Sequence, residues 1–345
     1  MKKVLKFFGR IFAFIGVTIG FAVITLTLTI FLICHGPSKN AKELFATTLL
    51  ETGKLKILAN IFISPSELEK IVSKNSLEEM KAEINTELIE SIDSKLKGKE
   101  LIEVYSVSGN NFEGTMMVVN DPSRIFLATT YPWSTYGKEL DVLVNDSGAI
   151  AGINGGLYQS DANKGGRPMG VAVSNGEILE LNPYITGLYL IGFDENNILR
   201  IISMENMNKE QAQEMIKKEK IRDAVAFQEE ASDKNNHFVK LIINGEKREL
   251  NGMGSGSNPR TAIGQRADGS VLFLVTDGRG KNGHLGASAS DLIDIMDEYG
   301  AVNAANLDGG SSSTMYYKDK YLMTSVTFYY SNSSWRLPTA FVVRG

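Results

Sequence analysis

Three patterns of apolar and polar positions divide the chain. Residues 11–34 are 24 positions without a charge, and a bilayer core about 30 Å thick takes roughly 20 helical residues. This stretch predicts a membrane-spanning helix. A cleaved leader would need a shorter apolar core and a small-x-small end. The run instead closes on Phe31-Leu32-Ile33-Cys34, and bulky Ile33 also argues against lipid attachment at Cys34. From 37 to 100 the chain is rich in Glu, Lys, Leu and Ile. Ser64-Pro65 reads as a helix start, a hydroxyl cap followed by proline in the first turn. Leu77, Met80, Ile84, Leu88, Ile92 and Leu96 recur at spacings of three and four, which predicts one apolar helix face and a helical stalk or linker.

From 101 to 345 the pattern changes to short apolar runs broken by glycine, with 27 of the 33 glycines. Strands are predicted at 103–107, 115–119, 125–129, 170–173, 187–193, 239–243, 271–275 and 339–343. Asn175-Gly176 and Asn244-Gly245 are hairpin-turn signals. Helices are predicted at 209–220 and 289–299, the second with Ser288 and Asp291 as a capping box and Gly300 as its stop. Strands outnumber helices and do not alternate with them. The fold class is therefore α+β, a mixed, largely antiparallel sheet with a few packed helices, preceded by a transmembrane helix and a helical stalk. The expected units are 1–36, 37–100 and 101–345.

Charge adds a direction. The chain carries 36 Lys and Arg against 40 Asp and Glu, a net charge of −4. Lys2, Lys3, Lys6 and Arg10 precede the apolar run without an acid, which predicts a cytoplasmic N-terminus and an extracytoplasmic remainder. No basic footprint marks a nucleic-acid partner. One cysteine excludes an internal disulfide and a Cys-rich metal site, and a disulfide-free exterior suits a bacterial cell surface.

Four glycine-rich clusters hold the candidate chemistry. In 151–158 an apolar strand runs into Asn154-Gly155-Gly156, a turn that can bare backbone N–H groups to a ligand. In 258–265 Pro259 sets a turn before Arg260, whose planar fork suits a phosphate or carboxylate. In 275–284 a strand delivers Asp277, Arg279, Lys281 and His284 to a loop. Its formal G-x-G-x-x-G is no dinucleotide fingerprint, because the helix begins only near Ala289. In 304–315 Asp308 is followed by Gly309, Gly310 and four hydroxyls, an anion or sugar cradle. No serine sits in a G-x-S-x-G elbow. With three histidines in the chain, a Ser–His–Asp hydrolase would have to use His284.

The order Asn-Gly-Gly, Asn-Pro-Arg-Thr-Ala-Ile-Gly, Asp-Gly-Arg and Leu-Asp-Gly-Gly-Ser-Ser-Ser-Thr-Met resembles the phosphodiester glycosidase family, over roughly 100–345. The chain departs from the family pattern at His284, Ser288, Asp291, Ser311 and Leu157, where the family has serine, threonine, glutamate, glycine and an aromatic. The resemblance implies hydrolysis of a sugar-1-phosphodiester, a GlcNAc-1-phospho-type linkage in a surface glycan or wall polymer. Such a bond expels a phosphate monoester, so strong acid help matters less than holding the phosphate, stabilising the anomeric centre and activating water. Arg260 is then the expected phosphate ligand and Arg279 the second. Asp308 or Asp277 would be the base or charge stabiliser. Asn154, Ser312 and Ser313 would position sugar hydroxyls, with Gly155, Gly156, Gly309 and Gly310 in the binding turns. No cofactor is called for, although an all-oxygen Ca²⁺ or Mg²⁺ site stays open. Two other classes remain, a non-catalytic module binding phosphate-bearing glycans and a metal-dependent phosphodiesterase.

Overall fold

The computed structural model describes residues 2–51, 56–90, 98–229, 237–324 and 333–345. Its first element is α1 (Lys2–His35), long and apolar enough to cross a membrane. The hydroxyls of Thr18 and Thr29 donate to the Phe14 and Thr25 carbonyls, so these polar side chains are satisfied within the helix. Three short helices follow: α2 (Lys39–Leu50), α3 (Lys56–Phe62) and α4 (Pro65–Lys74). Ser38 caps α2 and Ser64 caps α4, each by accepting a backbone N–H, and Pro65 occupies the first turn of α4. Ala46, Leu50, Ala59, Ile63, Leu68 and Ile71 close on Ile30 and Cys34 of α1.

The helix expected from Leu77 onward does not form. Residues 75–85 run extended along the domain, and one turn of 3-10 helix (Thr86–Leu88) follows. Leu77 bridges to Leu250, and Met80, Ala82 and Ile84 lean on the central core. Exposed and half-buried positions alternate from 79 to 85, the period of a strand. Leu88 is exposed, and Ile89 is buried in its place. The buried ammonium of Lys240 explains the choice. It donates to the Met80 and Ala82 carbonyls, and a helix would have spent those acceptors on its own N–H groups. Ile92 and Leu96 lie outside the described residues.

The remainder runs β1 (Ile102–Ser108), β2 (Glu113–Val119), β3 (Ile125–Thr129), α5 (Leu140–Asp146), β4 (Ala149–Asn154), β5 (Val171–Ser174), β6 (Glu177–Leu181), β7 (Leu188–Asp194), β8 (Leu199–Ser203), α6 (Lys209–Lys218), β9 (Ile221–Gln228), β10 (Lys240–Ile243), β11 (Glu246–Lys247), β12 (Thr261–Arg266), β13 (Val271–Thr276), α7 (Ala289–Glu298), β14 (Ala301–Asn306), β15 (Met315–Tyr317), β16 (Lys320–Met323) and β17 (Thr339–Arg344). The strands make three sheets, ordered β1-β2-β13-β12-β14-β10-β11, β16-β15-β4-β17-β3 and β6-β5-β9-β7-β8. Strand pairing among the described residues is antiparallel throughout, so the sheets are less mixed than expected. Asn175-Gly176 and Asn244-Gly245, all four at positive φ, form the two-residue turns that suit twisted hairpins.

The three sheets share one core. Along β2, Met117 and Val119 face it while Met116 and Val118 face α7; along β9, Val225 and Phe227 face it while Ala224 and Ala226 face the layer holding α6. On β17, Phe341 and Val343 point in, and Ala340 and Val342 point to α5. Both faces of these strands are buried, which is why they read as continuous apolar runs rather than polar–apolar alternation.

Candidate active site

The four glycine-rich clusters meet at one rim. The sheet places the start of β12 between the ends of β13 and β14, and the end of β4 approaches from the second sheet. Asn154 joins the two. Its side-chain oxygen accepts from Thr261 Oγ1 at 2.8 Å and Thr314 N at 3.2 Å, and its amide donates to the Asp308 carbonyl at 2.7 Å. Asn154 is 1% exposed, so it braces the Asp308 turn and does not face a sugar, as the sequence had suggested. Gly155 and Gly156 are also structural. A Cβ would meet Thr339 Oγ1 at 2.4 Å or the Ala226 carbonyl at 2.3 Å, so close packing demands glycine at both.

Beyond β14 the chain turns through Asp308, Gly309 and Gly310. Gly310 has φ +62°, and a Cβ there would lie 2.5 Å from Arg279 Nη2, so its absence lets the guanidinium lie across the turn. Arg279 Nη1 donates to Ser311 Oγ at 2.7 Å. Half-buried Asp308 is bonded by Ser312 and by the Gly309 N–H. Desolvation outweighs these bonds and nearby Arg279, and its carboxyl is pushed up to about 6. Ser312 Oγ also meets Tyr158 Oη at 2.9 Å. Tyr158 is buried, and its phenol is raised by desolvation and then by the Asp308 charge. Ser313 is buried too, its Oγ without a protein partner among the described residues. Asp308, Arg279, Ser311, Ser312 and Tyr158 thus make one charged and hydroxylated patch over a glycine turn.

Two predicted residues behave otherwise. Arg260 is 8% exposed, and its Nη2 and Nε are engaged inside the protein. Nη2 pairs with Glu51 at the end of α2 and donates to Ser255 Oγ at 3.2 Å and the Gly256 carbonyl at 2.8 Å; Nε donates to the Ala287 carbonyl at 3.2 Å. Its guanidinium lies 5.0 Å from the Phe238 ring centre. Glu51 accepts as well from Gly256 N and Asn258 Nδ2; burial pushes its carboxyl up and Arg260 draws it back. The expected first phosphate ligand is therefore a buried ion pair, closed by a residue of the segment read as a stalk. Asp277 is 1% exposed and likewise committed. Oδ1 accepts the Glu113 N–H and Oδ2 pairs with His284 Nδ1, both at 2.8 Å, an arrangement that staples the base of the Arg279 loop to β2.

Sequence reasoning missed Glu51, Tyr158 and the pairing of His284 with Asp277. Tyr158 carried a signal, an aromatic directly after Asn-Gly-Gly-Leu. Glu51 carried none, since its partner lies 209 residues away. Glu113, Asp277 and His284 each bring a ligand atom to within 4.8 Å of one another. That set could hold a divalent cation, but it contains a histidine and is not the all-oxygen site considered above.

Residues 147–344, more than half of the chain, match the family described as phosphodiester glycosidase. Over 65 residues the chain is 40% identical to the SPbeta prophage-derived uncharacterized protein YomE of Bacillus subtilis (strain 168), a match covering 19% of this chain and 10% of that protein. Among solved structures, the catalytic domain of zebrafish N-acetylglucosamine-1-phosphodiester alpha-N-acetylglucosaminidase, described as auto-inhibited by its pro-peptide, aligns with a TM-score of 0.53 at 15% identity, covering 74% of this chain and 86% of that one. A hypothetical protein from Synechocystis aligns with a TM-score of 0.43 at 16% identity, over 70% of this chain and 62% of that one. The zebrafish likeness supports the fold alone.

Proposed function

The chain belongs to the phosphodiester glycosidase family, and on that premise we propose that it hydrolyses a sugar-1-phosphodiester at the anomeric C–O bond. The observation that carries this reading is Asp308, a half-buried carboxylate at the glycine turn over which the Arg279 guanidinium lies. Arg279, lying over Gly310 with a donor already on Ser311, holds the substrate phosphate. Water attacks the anomeric carbon, the C–O bond to phosphorus breaks, and the electron pair leaves with the phosphate monoester. Asp308, mostly ionised at neutral pH, accepts the proton from water, and its charge stabilises the positive anomeric centre. Ser312 holds Asp308 in place, and Tyr158 braces Ser312 through their shared hydroxyl contact. Asp277 keeps a positioning role, because both of its oxygens are occupied.

The proposed setting is the outer face of a membrane, with α1 as anchor, its four preceding cations in the cytoplasm, and a surface glycan or wall polymer as substrate. The decisive experiment incubates the full chain in nanodiscs with a synthetic N-acetylglucosamine-1-phospho-alkyl diester in H₂¹⁸O. The label should appear in the released sugar. Label in phosphate would mean cleavage at phosphorus and a phosphodiesterase, for which loss of turnover in EDTA would implicate Glu113, Asp277 and His284. Binding without turnover would make the domain a glycan-binding module.

A further inference from the structure

The surface of α1 changes at a definite place. Side chains 6–29 are exposed around the whole helix. Burial starts at Ile30, 7% exposed, and is complete at Cys34, 0%, where α2, α3 and α4 close on the helix. Roughly 20 helical residues cross a bilayer core, and counting from Ile11, the first residue after the last N-terminal cation, that length ends at Ile30. The small helices thus begin where the hydrocarbon would stop. On α3, Ala59 is fully buried in this cluster, while Ile57 and Ile61 point outward, 60% and 65% exposed. They stand four residues apart, on one face of the helix. On α1, Phe31 and Leu32 in the turn between Ile30 and Cys34 are exposed as well, 50% and 67%.

We infer that α3 lies in the interfacial layer of the membrane, with Ile57 and Ile61 dipped into the boundary between headgroups and acyl chains. Lipid is the occupant this face fits, because α3 is packed on the end of the span itself, and any apolar surface at that height meets the bilayer before it meets another protein. The α2–α4 cap is then a seat on the membrane rather than a spacer. Since Glu51 at the end of α2 is bonded to Arg260, the seat holds the candidate active site at a set height and angle above the membrane.

This inference rests on α1 being an anchor, and the test separates the two. In a Cys34→Ala background the full chain is labelled with an environment-sensitive fluorophore at Leu26→Cys, Ile57→Cys, Ile61→Cys or Tyr184→Cys. Each is reconstituted in phosphatidylcholine–phosphatidylglycerol nanodiscs with or without lipids spin-labelled near the headgroup. Labels at 57 and 61 should shift to the blue and lose most of their emission to the shallow quencher. The label at 26 should also be blue-shifted, and the label at 184, 66% exposed on the domain, should emit as in water. Water-like emission at both 57 and 61 with a protected label at 26 would overturn the seat and leave the anchor standing. Water-like emission at 26 as well would remove the anchor, and the seat with it.

Discussion

Arg260 and Arg279 stand beside adjacent strand ends of one sheet and live in opposite surroundings. Arg260 has a buried counter-charge, Glu51, three further acceptors and an aromatic face. Arg279 lies on an exposed loop, bonded to the Ser311 hydroxyl, near the Asp308 charge and over a glycine turn. Both sit in motifs that suit an anion, yet Arg260 spends Nε and Nη2 on the fold, while Arg279 lies exposed beside the Asp308 turn. A guanidinium paired with a buried carboxylate acts as a strut, whereas an exposed one bonded to a hydroxyl can trade that contact for a substrate oxygen.

The largest expected effect tests the open side of this contrast. Asp308→Asn keeps shape and removes charge, so kcat should fall by about 10³-fold with little change in KM. Steady-state kinetics on the sugar-1-phosphodiester measures this, and an active Asn variant would reduce Asp308 to a turn brace. On the closed side, Arg260→Ala leaves Glu51 buried and unpaired, which should cost about 3–5 kcal/mol in denaturant unfolding. Glu51→Ala should cost a similar amount. The Glu51→Ala/Arg260→Ala double variant should lose much less than the sum of the two; strict additivity would mean that the pair is not a strut.

Arg279→Ala should leave stability nearly unchanged while lowering kcat/KM by roughly 10²-fold, mainly through KM, as expected for a phosphate contact kept from ground to transition state. Equal losses of stability in the Arg279 and Arg260 variants would erase the contrast.

The smallest effect is in pH. With Asp308 at about 6, kcat/KM should rise with pH through an apparent pKa near that value, and Arg279→Ala should move the limb upward, since that arginine holds the carboxyl down. The same shift has a stability sign. The folded protein binds this proton more tightly than the unfolded chain, whose aspartate titrates near 4. Asp308 therefore makes stability fall as pH rises from about 4 to about 6, and Asp308→Asn should flatten that fall. A slope unchanged in the Asn variant would place the titration elsewhere.

Much of the architecture was legible because local rules and tertiary packing agreed. Ser288 and Asp291 form the capping box of α7, Gly300 ends it at φ +76°, and the Asn-Gly pairs turn as hairpins. Each outcome depends on residues a few positions apart. The segment 77–88 shows where such reading fails. Its apolar spacing fits a helix, but Met80, Ala82 and Ile84 also fit a strand, and the distant Lys240 ammonium takes the Met80 and Ala82 carbonyls.

By itself the sequence determined the membrane-length apolar helix, the antiparallel-rich α+β domain, the family and the presence of Asp308 and Arg279 in a glycine turn. Those follow from composition, short-range periodicity and motifs a few residues long. Only the tertiary structure decided which polar groups were already spent. Asn154 on Asp308, Asp277 on Glu113 and Arg260 on Glu51 are pairings across 154, 164 and 209 residues. Whether a buried donor is free for a substrate depends on partners that meet only when the chain has folded.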